Sequence, residues 1–515
     1  VRNVVFTALR RQAMRCAAVA ASLTGAVAVG AAAGQGVSAP ISRINFLPAI
    51  ESAAPGTVPL DAARGDFDLD GLEDIAVLLA PSQQGEPGVV QLFLASPTRP
   101  GAFVAGASLI VGDAASAIAV GDINQDQLPD LVVALALQPP DNVQTFLLAA
   151  PQQFVQGPSA SAGAEPSDVA LADFDSDQAL DAVVVSLEPG QPQGSITVLF
   201  NRGDGVLAQP LQLGEQPALF TGFGASTSLL AGKRPKSVCP ADVDQDGDPD
   251  LLVLNEGDPE AGEGGSLTSY ANTGPQGLVS SRAVVFVRQP EVALGLGPAQ
   301  EAVADMDRDG DLDVVVALAG SGAAPGALVL LQGQGGQIDA FSFAQPVALV
   351  DNVQALAVQA VDLDHDGDPD LPVIVGDVPN TGPQTQVYEN LRRPGDEAVP
   401  TALAQTLTAN QQPSLLLIAD EDQDGDVDVL ALGTEIVDQG APPMQTVVAT
   451  HPNASFHPAD IDRSGSVGPG DLFLLLGNWG ADCSLTPCAA DVDGDGGVGP
   501  GDLFLLLGSW GFVTG

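Results

Sequence analysis

DVDQDGDPD, residues 242–250, is followed at once by the apolar run LLVL. Carboxylates stand at Asp242, Asp244, Asp246 and Asp250, positions one, three, five and nine of a short loop, and Gly247 stands where the chain must bend. Alternate residues of a sharply turning loop point their side chains at one centre. Hard oxygen ligands in that number suit Ca2+ better than Mg2+, which demands octahedral geometry and dehydrates reluctantly. Turn chemistry alone explains a glycine and one aspartate. It does not explain four acids in nine residues, which repel one another and raise each other's pKa unless a cation lies among them.

The stretch has six siblings, at intervals of 51 to 69 residues. They read DFDLDGLED from Asp66, DINQDQLPD from Asp122, DFDSDQALD from Asp173, DMDRDGDLD from Asp305, DLDHDGDPD from Asp362 and DEDQDGDVD from Asp420. In the second and third, Gln127 and Gln178 replace the glycine, a change expected to strain those loops or weaken their sites. A repeat of this length marks solenoids, arrays and propellers, and it bounds the fold before any single segment does.

Each unit has one grammar. A short apolar strand such as AIAVG leads into the loop, and a Val/Leu/Ile run such as DLVVALAL or DVVVALA follows it. A third strand follows (SITVLF, GALVLLQ), and a fourth begins near a Phe, as in AFVAGASLI and FSFAQPVALV. β-branched runs bounded by Gly and Pro predict strands. Four antiparallel strands, seven times, predict an all-β fold, a seven-bladed β-propeller over residues 38–452. After the seventh loop only DVLAL and MQTVVAT are strand-like, while ISRINFLPAI, residues 41–50, is left over before the first. That N-terminal segment is therefore expected to complete the last blade and remove the exposed edges of an open ring.

The seven loops in this strand context resemble FG-GAP/VCBS repeats, the family of integrin-type propellers, over about four fifths of the chain. The resemblance implies that each loop joins the first two strands of a blade and binds Ca2+. The implied ligands are Asp66, Asp68, Asp70 and Asp74; Asp122, Asn124, Asp126 and Asp130; Asp173, Asp175, Asp177 and Asp181; and Asp242, Asp244, Asp246 and Asp250. The remaining three sets are Asp305, Asp307, Asp309 and Asp313; Asp362, Asp364, Asp366 and Asp370; and Asp420, Asp422, Asp424 and Asp428.

Residues 453–515 carry a different, duplicated pattern. DIDRSGSVGPGDLFLLLGNWG and DVDGDGGVGPGDLFLLLGSWG begin 31 residues apart, at Asp460 and Asp491. Each opens as a twelve-residue EF-hand-type loop with glycine at position six. The ligand positions are Asp460, Asp462, Ser464 and Asp471, then Asp491, Asp493, Asp495 and Asp502. Leu472, Leu475, Leu476 and Trp479, and their copies Leu503, Leu506, Leu507 and Trp510, recur at helical spacing, so a helix is expected after each loop. The stripe reads as a seam between two helices, a docking face, or both. The pair resembles a dockerin, the small α-helical calcium-loop module that docks onto cohesins, although Gly468 and Gly499 at position nine depart from that pattern. The resemblance implies two further Ca2+ ions beside up to seven in the propeller, and a cohesin-like or cell-surface partner.

Charge and composition narrow the functional classes. The chain has 515 residues, with 17 Lys plus Arg against 65 Asp plus Glu and a formal charge of −48. Seven loops with four ligand positions each, all acidic save Asn124, hold 27 of those 65 acids. Such a chain repels nucleic acid and anionic membranes and attracts cations. Arg2, Arg10, Arg11 and Arg15 precede a small apolar run, Cys16 to Gly34, that reads as an export signal over residues 1–34, by either the general or the twin-arginine route, with a membrane anchor as the alternative. The protein is thus expected to be secreted or attached to the cell surface, with no transmembrane segment after cleavage. Cys483 and Cys488 are close enough to bridge in an oxidising compartment, and Cys239 reads as a small buried residue.

No Ser/His/Asp grouping, zinc pattern or phosphate loop stands out, and the three histidines are His365, His451 and His457. A non-catalytic binding scaffold is the expectation. The rivals are a lectin-like, carbohydrate-binding propeller and a calcium-dependent polysaccharide-active enzyme. Sugar sites stack rings on aromatic faces, and only Tyr270 and Tyr388 fall within the propeller, both tryptophans lying beyond it.

Overall fold

Each acidic loop is the turn of a β-hairpin, and position nine opens the second strand. In the computed structural model Ala241 pairs with Asp250, and the same register closes Gly65 on Asp74, Gly121 on Asp130, Ala172 on Asp181, Ala304 on Asp313 and Ala419 on Asp428. In the sixth unit an isolated bridge joins Val361 to Asp370. The structure describes residues 44–55, 57–81, 86–137, 140–201, 203–207, 226–258, 261–273, 284–320, 325–337, 340–376, 382–392, 399–409, 411–421, 426–435, 445–453, 461, 467–481, 490, 492 and 497–508. The export signal, Cys483 and Cys488 lie outside them.

The strands form seven antiparallel blades and an all-β, seven-bladed propeller. Blade four shows the pattern: Pro235–Ala241, Asp250–Asn255, Ser266–Asn272 and the short Phe286–Arg288, in that order. First strands of successive blades contact one another, and the seventh contacts the first, so the ring is closed. Second strands such as Asp130–Leu135 and Asp181–Ser186 are buried at every residue, because a blade on either side covers both faces. Their unbroken Val/Leu/Ile runs follow from that.

The apolar core is divided among the seams. Seven clusters of buried residues each join two neighbouring blades, as where Phe174, Val183 and Val185 of blade three meet Val238, Leu251 and Phe286 of blade four. Burying one such side chain fully contributes about 1.5–3 kcal/mol. Blades with little core of their own therefore hold together around the ring.

Two expectations shift. The strand that completes blade seven is Ile50–Pro55, paired from Ile50 with Thr450 to Pro55 with Gln445, and does not span residues 41–50. Pro48 lacks an N–H for a ladder. Upstream of it Phe46 forms an isolated bridge with Asn453 and not a ladder, while Ile44 and Phe46 plug the core between blades six and seven. The run FSFAQPVALV is also not one strand. Ala340–Phe343 pairs with Gly333–Gln337 in a side hairpin, and Val347–Asp351, after Pro346, forms the fourth strand of blade five. Past the propeller, two helices, α1 (Pro469–Gly477) and α2 (Pro500–Gly508), follow the duplicated loops and pack on each other. No helix among the described residues is long and apolar enough to cross a membrane.

Four of the seven first strands begin with proline (Pro59, Pro166, Pro235 and Pro298), a fifth has Pro413 in second place, and a register shift follows each proline within two residues. The shift frees side chains to bridge blades. Asp61 accepts the N–H of Ala62 and of Ile118 in blade two, and Asp168 accepts those of Val169 and of Val238 in blade four. Between blades four and five the hydroxyl of Ser237 donates to the buried Glu301, whose pKa burial pushes up to about 7. Between the ordinary glutamate value near 4.5 and about 7 the folded state therefore holds a proton the unfolded chain has lost, and stability falls as pH rises through that window. We expect Glu301→Gln to remove this slope and to gain on the order of 2 kcal/mol relative to wild type between pH 5 and pH 8. Denaturant melts at the two pH values check it; parallel slopes would contradict it.

Candidate metal centre

Loop backbones repeat as closely as their sequences. Position six takes a left-handed conformation, at φ 101° in Gly247 and 97° in Gly310, and Gln127 and Gln178 adopt it too, at 71° and 74°. Glycine enters that region without steric cost, whereas a residue with a Cβ does not, so the second and third loops carry local strain. Position four is left-handed as well, in Leu69, Gln125, Ser176, Gln245, Arg308 and His365 (φ 54–64°). Only the structure shows this, because those six residues share no side-chain chemistry.

With the chain so bent, backbone N–H groups orient the acids. Position one accepts from position six: Gly71 to Asp66, Gln127 to Asp122, Gln178 to Asp173, Gly247 to Asp242, Gly310 to Asp305 and Gly367 to Asp362, at 2.7–3.1 Å. Position five accepts from position seven, as in Leu72 to Asp70 and Asp248 to Asp246, both at 2.9 Å. Position three accepts from position five at Asp68, Asn124, Asp307 and Asp364. At position one the position-five N–H takes the second oxygen of Asp66, Asp122, Asp173 and Asp305, so both oxygens are held there, whereas only one is held at Asp242 and at Asp362.

Among the described residues three carboxylates converge in each of five loops, with one oxygen of each lying within 4.8 Å of the others. The groups are Asp66, Asp68 and Asp70; Asp173, Asp175 and Asp181; Asp242, Asp244 and Asp246; Asp305, Asp307 and Asp313; and Asp362, Asp364 and Asp370. Oδ1 of Asp242 and of Asp362 is buried without a hydrogen-bond partner. Burial raises the pKa of Asp122, Asp173, Asp242, Asp305 and Asp362. At Asp68 burial is the larger cause and the Asp70 charge adds to it. Loop two has Asn124 donating to Asp126 at 3.0 Å within the same arrangement. Of the seventh set Asp420 and Asp428 are described, and Asp422 and Asp424 lie outside the described residues.

Position nine has a second occupation that the sequence did not disclose. All seven of these aspartates, Asp74, Asp130, Asp181, Asp250, Asp313, Asp370 and Asp428, are buried. One oxygen of Asp250 accepts the N–H of Val243 at loop position two, and the other accepts that of Asn272 at the end of the third strand, both at 2.8 Å. Phe67 and Ala95 do the same for Asp74, Ile123 and Leu148 for Asp130, and Phe174 and Asn201 for Asp181. The pattern recurs with Met306 and Gly333 on Asp313, Leu363 and Asn390 on Asp370, and Glu421 and Asn453 on Asp428. Burial pushes Asp74 up to about 6, Asp130 and Asp313 to about 7 and Asp250 to about 8, against the lowering effect of these donors.

Two further residues act between blades. Where an asparagine stands at the end of the third strand or two residues past it, its amide reaches the position-two carbonyl of the preceding blade: Asn201 to Ile123, Asn272 to Phe174, Asn390 to Met306 and Asn453 to Leu363. Position two itself is an apolar plug in six loops, buried against the next blade (Phe67, Ile123, Phe174, Val243, Met306 and Leu363). In loop seven it is Glu421, which pairs with Arg64 of blade one at 2.8 Å beside a cavity of about 400 Å³.

This loop geometry coincides with a family match: the FG-GAP-like repeat family matches residues 66–133, 173–253 and 305–373. The propeller carries FG-GAP-like repeats. Among solved structures, the crystal structure of BBS1N in complex with ARL6DN, soaked with mercury, aligns over 79% of this chain and 97% of its own at 13% identity, with a TM-score of 0.44. No curated protein matches the chain.

Beyond the FG-GAP-like repeats, Asp471 and Asp502 are buried at the third position of α1 and α2, where each accepts the N–H of the residue before its helix, Gly468 at 2.7 Å and Gly499 at 2.6 Å. Asp460, Asp462, Ser464, Asp491, Asp493 and Asp495 lie outside the described residues. The Leu/Trp stripe divides: Leu475 and Leu506 are buried in a cluster with Val467, Ala490, Val492 and Val498, whereas Leu476, Trp479 and Leu507 are exposed. Phe473 and Phe504, outside the expected stripe, are 73% and 75% exposed.

Positions five and nine of one FG-GAP-like loop should therefore separate on substitution. With chelator present, Asp250→Asn leaves one acceptor for two buried donors and should cost about 1–3 kcal/mol. Asp246→Asn keeps its acceptor oxygen and should leave stability within about 0.5 kcal/mol of wild type. Urea denaturation of both variants in chelator checks this, and equal midpoints would contradict it.

Proposed function

We propose that this protein is a secreted or cell-surface, non-catalytic scaffold whose propeller is stabilised by Ca2+ and whose C-terminal loop–helix pair tethers it to a cohesin-type or other surface partner. The observation that carries the calcium reading is the buried, unpartnered Oδ1 of Asp242 and of Asp362 within converging carboxylates. Buried anionic oxygens with no donor are costly, and hard, divalent Ca2+ matches an all-oxygen donor set. The residues that would hold it are those at positions one and three, with position five in the clusters of Asp70 and Asp246 and position nine in its place in those of Asp181, Asp313 and Asp370. When bound, the ion supplies positive charge that offsets desolvation and repulsion among the acids. Asp420, Asp422, Asp424 and Asp428 belong to the same proposal by their spacing, as do the two C-terminal sets.

The tether reading draws on the duplication of α1 and α2 and on the exposed Phe473, Leu476, Trp479, Phe504 and Leu507. Exposed apolar side chains grouped in this way favour a protein partner. Glycan binding by the propeller draws less support. Tyr270 and Tyr388 are buried, with their hydroxyls donating to Leu230 O and Gln386, and offer no open ring face for a sugar. A protein ligand on the propeller face is the reading we favour. Of the described histidines, His365 pairs with Asp426 at 2.8 Å, and burial pushes His451 down to about 4.

Two measurements test these readings separately. Chelation of the full chain should lower its melting temperature by 10 °C or more, on the order expected when several sites empty together; an unchanged transition would sink the calcium reading. In surface plasmon resonance against a panel of immobilised cohesin domains, the full chain should bind in Ca2+ and lose binding in chelator. Phe473→Ser with Phe504→Ser should weaken that binding at least about tenfold, and retention of full affinity would remove the helical face from the proposal.

A further inference from the structure

Position four of the loops does more than turn the chain, because its side chain lands on the next blade. Gln125 donates to the carbonyl of Gln178 at 3.1 Å, and the Ser176 hydroxyl donates to Asp248 at 2.7 Å. Gln245 donates to the carbonyl of Gly310. Arg308 pairs with Asp368 at 2.8 Å, and donates to the carbonyls of Gly367 at 2.9 Å and of Asp366. His365 meets Asp426 at 2.8 Å. These are five successive seams, from blade two to blade seven, bridged from the same loop position to positions five, six or seven of the following loop.

Position seven follows the same logic. It is aspartate in loops four to seven (Asp248, Asp311, Asp368 and Asp426), and three of these receive the hydroxyl, guanidinium or imidazole of the preceding loop. At the seam between blades one and two the corresponding residues are Leu69 and Leu128, whose side chains have no polar group to exchange.

We propose that the position-four residues are struts that couple calcium filling of neighbouring loops, so that blades two to seven load as a linked row. The inference rests on the calcium reading given above. Position four lies between the ligands at positions three and five in a left-handed conformation, so fixing those ligands fixes the direction of the strut. The far end of the strut grips the apex of the next loop beside its position-five carboxylate. Ordering one loop thereby orders part of the next, and a second ion then binds a site already arranged, which is positive cooperativity through shared ordering.

The test is a calorimetric Ca2+ titration of the full chain against the double variant Gln245→Asn, Arg308→Asn. Asparagine tolerates the left-handed backbone and is too short to reach the next loop. Wild type should load more steeply than independent sites, and the variant less steeply at the same stoichiometry. Leu69→Asn, at the unbridged seam, should load as wild type does. Steepness is the readout rather than affinity, because removing Arg308 also removes a positive charge near Asp362. Hydrogen exchange gives a second readout. The loops at 305–313 and 362–370 should gain protection at one Ca2+ concentration in wild type and at concentrations about fivefold or more apart in the variant. Equal steepness with joint protection in the variant would overturn the coupling and leave the calcium reading standing. No bound Ca2+ at all would overturn both.

Discussion

A carboxylate buried at the ninth position of every loop is the constraint on which the rest depends. Asp250 takes one N–H from its own loop and one from the end of the third strand, and so joins three parts of a blade that the ladder alone does not tie. Because the group is dry, both donors must be present: a buried acceptor stripped of a partner costs about 1–3 kcal/mol. The loop cannot drift from the third strand while that carboxylate is held. Positions one, three and five are then presented in a fixed frame, which is what a cation cage needs.

The same residue passes order sideways. The third-strand asparagines whose N–H groups serve position nine send their amides to the loop of the preceding blade, as Asn272 does to Phe174 O. The apolar plug at position two enters the next seam, and the position-four side chain crosses it above. The seams between blades two and three, three and four, five and six, and six and seven are thus fastened at a core cluster, at a loop base and at a loop tip. The ring closes differently where Glu421 and Arg64 take the place of the plug, at the one junction that joins the two ends of the propeller chain. There, too, Ile50–Pro55 supplies the final strand.

How much of this was legible can be judged residue by residue. The hairpins, their number and the acidic positions were plain, because the loop chemistry repeats within nine residues and the strands read as β-branched runs. The closing strand was misplaced by several residues because apolar character at Ile44 and Phe46 marks core contact as readily as pairing, and Pro48 blocks the ladder. FSFAQPVALV reads as one strand for a similar reason, whereas Pro346 ends pairing and the run on either side answers to different partners. Leu475 and Leu506 were expected in a seam and lie in one, but Leu476 and Trp479 share their helical spacing and are exposed, since two nine-residue helices cover only a narrow stripe.

The sequence by itself determined that seven like units each build a tight acidic turn between strands, because the residues needed for that turn are contiguous and their chemistry is local. Tertiary structure alone decided what position nine holds, which asparagine reaches which blade, and where position four points. Those partners lie tens of residues away in the chain, as far as the 98 between Asn272 and Phe174. Nothing in an aspartate or an asparagine announces a partner at that distance. It is fixed only when strands of neighbouring blades come together and water leaves the seam between them.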